Sequence, residues 1–278
     1  FSQIRLFCMR ILLAPLFLLL FVQAALAQYS QTATSNGATM RVEYLPPSSN
    51  GSIQAVLEIN LEPEWITYWR EPGAFGIPPQ ISLADPTQGQ VSDIYYPIPK
   101  KITVSGGVDI AYDKPVKIPF TVKLGGGQKG KPIDLNVLIG VCHNICIPFQ
   151  STFTLDSSIS VKDPKVVTAI DQAMKTLPDT PKPDFKVNSV TLDDENKTIS
   201  LQLTVPGQTE SISEVIIAGP AGMAFTKTTQ VEISGSKAVV NVDTSDLPDD
   251  FKSEGQTWLA LIRAGNRVIE SPITLPKT

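Results

Sequence analysis

Histidine occurs once in these 278 residues, as His143, and cysteine three times, as Cys8, Cys142 and Cys146. Three of these four soft ligands, Cys142, His143 and Cys146, cluster on one tight loop, a set incomplete for structural zinc. The Cys-x-x-Cys-His run that attaches a haem is missing as well. Bases are outnumbered by acids, 23 Lys and Arg against 27 Asp and Glu, for a net charge of −4. That balance argues against nucleic acid or an anionic membrane surface as partner, because either would be repelled. The glycine-rich run from Gly125 to Gly130 lacks the Gly-Lys-Ser/Thr of a phosphate loop and no helical pattern follows it, so it reads as a flexible turn. Beyond Val22 no second long apolar run is present, and a membrane span needs about 20 such residues.

The apolar run that is present, Ile11 to Val22, is interrupted only by Pro15 and follows Arg5 and Arg10; Ala25-Leu26-Ala27 then supplies a small-x-small cleavage site. This is the pattern of a secretory signal peptide over residues 1–27, with Gln28 the first mature residue. The chain begins at Phe1, and a signal starting at Met9 is complete by itself, so Cys8 is expected to be absent from the mature protein. The expected address is outside the cytoplasm, in a compartment where disulfides are permitted.

After a polar lead-in, Gln28 to Ala38, expected to be unstructured, apolar residues recur with period two. Met40, Val42 and Tyr44 alternate, then Ile53, Ala55, Leu57 and Ile59, with a turn at Pro46–Gly51 between them. Further strands are predicted at Gln80–Leu83, Val91–Tyr96, Val116–Leu124, Asp134–Val141 and Ile147–Leu155. From Lys162 the period changes. Asp163 can cap a helix with Pro164 in its first turn, and Val166, Val167, Ile170, Ala173, Met174 and Leu177 follow at helical spacing. Asp179-Thr180-Pro181-Lys182-Pro183 reads as a stiff linker. Period two then returns in about seven short strands between Phe185 and Leu275, with a solvated turn at Asp193–Asn196 whose spacing is not that of a calcium loop. The predicted fold is all-β: two immunoglobulin-like β-sandwich domains, residues 28–160 and 184–278, joined by a short amphipathic helix and Pro-rich linker over 161–183.

Cys142 and Cys146 lie four residues apart between the alternating runs Leu135, Val137, Ile139, Val141 and Ile147, Phe149. On one extended strand they would be about 13 Å apart. A disulfide needs Cα atoms within about 7 Å. If they bond, a hairpin with the loop His143-Asn144-Ile145 makes them a cross-strand pair, and Asn144 tolerates the left-handed conformation such loops often use. Closing so short a loop stabilises by only about 2 kcal/mol, against nearly 5 for a 100-residue loop. The pair is therefore either a labile redox centre or an inert hairpin staple. His143 is either a neighbour that lowers a thiol pKa or an exposed loop residue. Cys142, His143 and Cys146 also make a soft-ligand set suited to Cu(I), so a copper-handling or protein-binding module is the alternative.

The segments Glu64-Trp65-Ile66-Thr67-Tyr68-Trp69-Arg70-Glu71-Pro72-Gly73, Gly76-Ile77-Pro78-Pro79, Asp109-Ile110-Ala111-Tyr112 and Gly140–Phe149, in that order, resemble the N-terminal periplasmic domain of DsbD-type thiol:disulfide interchange proteins, and most of all the ScsB suppressor-of-copper-sensitivity branch. The resemblance spans about residues 40–160. It implies an immunoglobulin-like sandwich whose Cys142–Cys146 pair accepts electrons and passes them on, with Cys146 forming the mixed disulfide and Cys142 resolving it. It also implies aromatic neighbours at Tyr68 and Trp69, support from His143 and Pro148, and a cap loop over Lys101–Gly107 that includes Thr103, Val104, Ser105 and Gly106. For Trp69 a place in the sandwich core is equally open, and for Trp65 the core is favoured. No cofactor is implied. The chain stops at Thr278 without the membrane conduit of that family, so the expected partners are a separate membrane-embedded thiol reductant of DsbD/CcdA type and oxidised periplasmic thioredoxin-like or copper-stress proteins.

Overall fold

The computed structural model describes residues 30–276 apart from 74, 75, 105, 194, 196, 208, 220, 221, 249, 250 and 252–255. The predicted signal segment, Cys8, Ser105 and parts of the Asp193–Asn196 turn fall outside the described residues. The first eleven strands are β1 (Ser30–Ser35), β2 (Ala38–Tyr44), β3 (Ser52–Leu61), β4 (Ile66–Gly73), β5 (Gln80–Leu83), β6 (Gly89–Ser92), β7 (Lys100–Val104), β8 (Gly107–Tyr112), β9 (Val116–Leu124), β10 (Pro132–Cys142) and β11 (Cys146–Asp156). They form a five-stranded sheet, β1-β2-β3-β9-β6, and a six-stranded one, β11-β10-β4-β8-β7 with β5 on β10. Alternation decides what lies between them. Met40, Val42, Ile53, Leu57 and Ile59 from one sheet meet Trp69, Ile110, Leu135, Val137 and Ile139 from the other in a single apolar core.

Several predicted elements change. The lead-in is not unstructured, because Ser30–Ser35 pairs along β2 from Ser30↔Glu43 to Ser35↔Ala38. It is a polar edge strand held by its backbone ladder, so no apolar period announces it. Gln31 extends that hold by bonding the backbone of Thr154 on β11 in both directions, at 2.8 and 2.7 Å. The strand predicted over Val91–Tyr96 ends at Ser92, where Asp93 takes a positive φ of 49°. β4 went unpredicted because Thr67, Tyr68 and Trp69 are all buried, and a strand covered on both faces shows no alternation.

Helix α1 (Pro164–Met174) starts as predicted, with the Asp163 carboxylate accepting from Lys165 N at 2.8 Å and Pro164 in the first turn. Its buried stripe, Val166, Ala169, Ile170 and Ala173, lies on Leu45 and Val56. That contact explains why Ala55, Val56 and Leu57 are buried in succession: the helix covers the outer face of β3.

The remaining strands are β12 (Lys186–Asp193), β13 (Thr198–Thr204), β14 (Ile212–Ala218), β15 (Ala224–Phe225), β16 (Thr228–Ser234), β17 (Lys237–Asp243), β18 (Thr257–Ala264) and β19 (Arg267–Thr274). They build two four-stranded sheets, β12-β13-β17-β16 and β15-β14-β18-β19. Trp258 anchors the core between them, stacked on Phe225 and edge-on to Phe251, both at 5.8 Å between centroids. Ile216, Ala218, Leu261 and Val268 face the other way and join the first core. The stretch read as a linker is bonded to this second pair of sheets: Asp179 exchanges backbone bonds with Val268 and Glu270 at 2.8 and 3.0 Å. Arg70 of β4 reaches across to Glu270 at 2.6 Å.

Candidate functional site

β10 and β11 form one continuous hairpin whose last register pair is Cys142↔Cys146. The two cysteines are disulfide-bonded, with Cα atoms 4.1 Å apart across the three-residue loop. The spacing thus produces the cross-strand pair that the alternation required. Asn144 does not use the left-handed conformation, since the described non-glycine residues with positive φ are Glu64, Asp93 and Lys197. The turn closes instead with His143 N donating to Ile145 O at 3.3 Å.

Side-chain parity fixes where the sulfurs point. Ile133, Leu135, Val137, Ile139 and Val141 are all fully buried on the core face of β10, which puts Cys142 on the opposite, outer face of the six-stranded sheet. Cys142 pairs with Ile66 on β4, Tyr68 with Ala111 on β8, and Asp109 with Ile102 on β7. Residues directly opposite share a face, so Ile66, Tyr68, Ile102, Asp109, Ala111 and Cys142 form one patch on that outer side. Tyr68, Ala111 and Cys142 pack together there with Ile66 and Ile102 against them. Trp69 takes the other parity and lies in the sandwich core, fully buried, with the Arg70 guanidinium 4.9 Å above its ring. Among the two aromatics the resemblance implied, Tyr68 is therefore the one beside the disulfide.

The polar geometry of the patch is compact. Tyr68 Oη lies 2.9 Å from Cys142 Sγ, 3.3 Å from Cys146 Sγ and 3.3 Å from Asp109 Oδ2. Tyr68, Asp109 and Cys142 are 1%, 2% and 4% exposed. Burial, then the charge and hydrogen bond of Asp109, push the Tyr68 phenol well above its ordinary range, so it stays protonated. Cys146 by contrast is exposed, as is Ile145 at the tip. One cysteine is buried and the other exposed.

Two pieces flank the patch, one within the sheet and one over its outer face. The predicted cap loop is itself a hairpin: β7 and β8 pair from Lys100↔Ala111 to Val104↔Gly107, and Gly106, with φ 97°, makes the tight turn. Thr103 and Gly106 are exposed, Val104 is half-buried, and Ile102 is the member that reaches the patch. The second piece is Gly76–Pro79. A β-carbon at Gly76 would overlap the Tyr68 ring, and one at Gly140 would run into Ile77. That close approach is a physical reason for glycine at 140 in a strand otherwise bulky on both sides.

His143 is exposed, its Nδ1 donating to Glu64 O at 3.1 Å beside the Trp65 ring. Trp65, favoured as core, is half-buried and lies across Gly37, while packing on the rim of the core. Pro148 is exposed on β11 opposite Gly140. Among the described residues, no group of three or more His, Cys, Asp and Glu side chains is placed to hold a metal ion. Asp109, bonded to the Tyr68 hydroxyl, stands within a recognised motif but was not expected as a site residue. The alternation of Asp109 and Ala111 against Ile110 and Tyr112 was the available signal.

Residues 35–158 match the family described as thiol:disulfide interchange protein DsbD, N-terminal. The crystal structure of the N-terminal periplasmic domain of ScsB from Proteus mirabilis is similar to this chain with a TM-score of 0.73 and 23% identity, covering 91% of this chain and 100% of that one. The CupB6 tip adhesin from Pseudomonas aeruginosa aligns over 89% of this chain and 98% of its own, with a TM-score of 0.20 and 10% identity. No curated protein is significantly similar to the chain. Among the described residues no helix is long and apolar enough to cross a membrane.

Proposed function

We propose, on the premise of the DsbD N-terminal match over residues 35–158, that this protein is a periplasmic thiol–disulfide interchange protein. It accepts electrons from a membrane-embedded thiol reductant of DsbD/CcdA type and passes them to oxidised periplasmic thioredoxin-like or copper-stress proteins. The observation that supports this reading best is the asymmetry of the pair: Cys142 is buried beside Tyr68, while Cys146 is exposed at a hairpin tip. A staple needs no such asymmetry. Its five-residue loop also supplies only about 2 kcal/mol of chain-entropy stabilisation.

The exchange is balanced in two steps. A thiolate of the reductant attacks Cys146 Sγ, the Cys142–Cys146 bond breaks, and Cys142 leaves with the electron pair. The reductant's second thiolate then attacks the mixed disulfide, so the reductant departs oxidised and the protein keeps both thiols. Delivery to a client runs the same steps in reverse: Cys146 attacks the client disulfide and Cys142 resolves. In this reading residues 1–27 are the signal peptide, 28–160 the redox sandwich, 161–183 helix and linker, and 184–278 a second sandwich that supports the first.

The test is the reduction potential of the pair against glutathione buffers, together with trapping. A value well below about −300 mV marks a reduction-resistant structural bond and overturns the reading. With an oxidised thioredoxin-like client, Cys142→Ala is expected to hold a covalent adduct through Cys146, and Cys146→Ala to hold none.

A further inference from the structure

We infer that Asp109 and Tyr68 form a buried proton relay serving Cys142, with Asp109 storing the proton and Tyr68 passing it. This rests on the thiol-interchange reading above and adds to it the group that moves the proton. A carboxyl 2% exposed, on a face otherwise lined by Ile66, Ile102 and Ala111, is costly to keep. It lies within 3.3 Å of a hydroxyl that in turn stands 2.9 Å from the Cys142 sulfur. A phenol has one hydrogen to give and lone pairs to accept with, so placed between a carboxyl and a sulfur it can hand a proton either way.

The chemistry needs such a relay. Cys142 is 4% exposed, so bulk water has little access to take its proton, and the Tyr68 hydroxyl stands 2.9 Å from its sulfur. When electrons leave the protein, Cys146 is joined to the client and Cys142 must attack Cys146 Sγ. In that step the Cys142 S–H proton passes to Tyr68 Oη as the Tyr68 proton passes to Asp109 Oδ2. The Cys142–Cys146 bond forms, the Cys146–client bond breaks, and the client thiolate leaves with the electron pair. Asp109 then loses its proton to solvent. When electrons enter, Asp109 takes up a proton from solvent and passes it through Tyr68 to Cys142 as it leaves. The other charged groups around the patch are committed elsewhere: Arg70 of β4 to Glu270, His143 to the Glu64 carbonyl, Lys101 of β7 to the Thr226 carbonyl, and Lys227 to Asp243. Glu71 follows on β4 beyond Arg70, and burial raises its pKa.

The experiment uses the reduced full-length protein and oxidised glutathione, with rapid acid quench and mass resolution of the Cys146–glutathione adduct. Wild type is expected to form the adduct and resolve it, and Cys142→Ala marks the unresolved limit. Asp109→Asn and Tyr68→Phe are expected to accumulate the adduct and to resolve it about 100-fold more slowly than wild type at pH 7. The deficit should shrink as pH rises and hydroxide replaces the base, which a merely structural defect would not do. If Asp109→Asn fails to fold, Tyr68→Phe carries the test. Resolution at the wild-type rate in a folded variant overturns the relay while leaving thiol interchange standing. Absence of any adduct in wild type sinks thiol interchange itself, and the relay with it.

Discussion

The two pairs of sheets solve the same packing problem and differ in what they bury. The second pair closes on apolar side chains, with Phe185, Leu201, Val240, Trp258 and Ile262 in its core, and residues 184–278 contain neither cysteine nor histidine. The first pair builds an equally apolar core between its sheets, then covers the outer face of one sheet as well. On that face it buries a phenol, a carboxyl and a sulfur. The disulfide therefore sits outside the sandwich core, on the outer face that Gly76–Pro79 approaches. The second pair joins the first core through Ile216, Ala218, Leu261 and Val268, and meets β4 through the Arg70–Glu270 ion pair. One pair carries the disulfide; the other touches the sheet that carries it.

The largest effect expected from breaking this division is on the exposed cysteine. Cys146→Ser should abolish exchange with glutathione to the detection limit while removing only about 2 kcal/mol of stability, with the near-ultraviolet signature of Trp258 unchanged. Measurable exchange in Cys146→Ser would move the chemistry elsewhere. Trp258→Ala strikes the other region. Deleting this buried ring, which packs on Phe225 and Phe251, should cost about 3–5 kcal/mol. If the second pair only braces, hydrogen exchange will rise first in β14, β18 and β19, and glutathione exchange will persist below the lowered melting temperature.

How much of this is legible in the chain depends on where a residue's neighbours come from. Leu135, Val137, Ile139 and Val141 alternate within a single strand, so the hairpin and its Cys142–Cys146 pairing followed from local period and loop length. Tyr68 and Trp69 did not separate, because their roles depend on parity, and parity depends on β4 pairing Ile66 with Cys142, 76 positions further along the chain. A one-residue slip would exchange the two. Asp109 was visible within a motif but not as a site residue, since its tie to Tyr68 crosses a bulge in the β4–β8 ladder. The cap read as a loop because small residues at 105–107 outweighed the short strands flanking them. β1 was hidden by being polar, an edge strand having no apolar face to display.

A smaller effect is expected at the seam. Glu270→Gln leaves the Arg70 guanidinium without its anion, between the Trp69 and Tyr96 rings at 4.9 Å from each. The two ionic side chains are 22% and 21% exposed, so the cost belongs between that of a surface pair and a buried one, about 1–3 kcal/mol. Chemical denaturation should show it, together with raised hydrogen exchange along β4. Unchanged protection of β4 would mean that the brace rests on apolar contact alone. Asp163→Ala, which removes the α1 cap and touches neither site nor seam, should cost about 1 kcal/mol and leave exchange kinetics unaltered.

The smallest effect is one of pH, on the rim of the second pair that faces the β7–β8 hairpin. Lys227 and Asp243 line a cleft of about 560 Å³ together with Gly106 and Gly107. The Lys227 ammonium, 2.7 Å away, and the Ser245 backbone N–H hold the Asp243 carboxyl down at about 2. A depressed acid stabilises the fold above its unfolded pKa of about 3.9 and loses that contribution as pH falls through its folded value. The pair's support is therefore complete at pH 7 and disappears between about pH 4 and pH 2. Lys227 is 77% exposed, so screening keeps the contribution below that of Glu270. Asp243→Asn should flatten this acid limb in denaturation curves taken at pH 7, 4 and 2.5, and an unchanged limb would assign the acid sensitivity to other carboxylates. If the β7–β8 hairpin depends on the cleft wall, its amide protection will fall with the same midpoint in wild type and not in the variant. Protection that falls equally in both would separate that hairpin from the second pair of sheets.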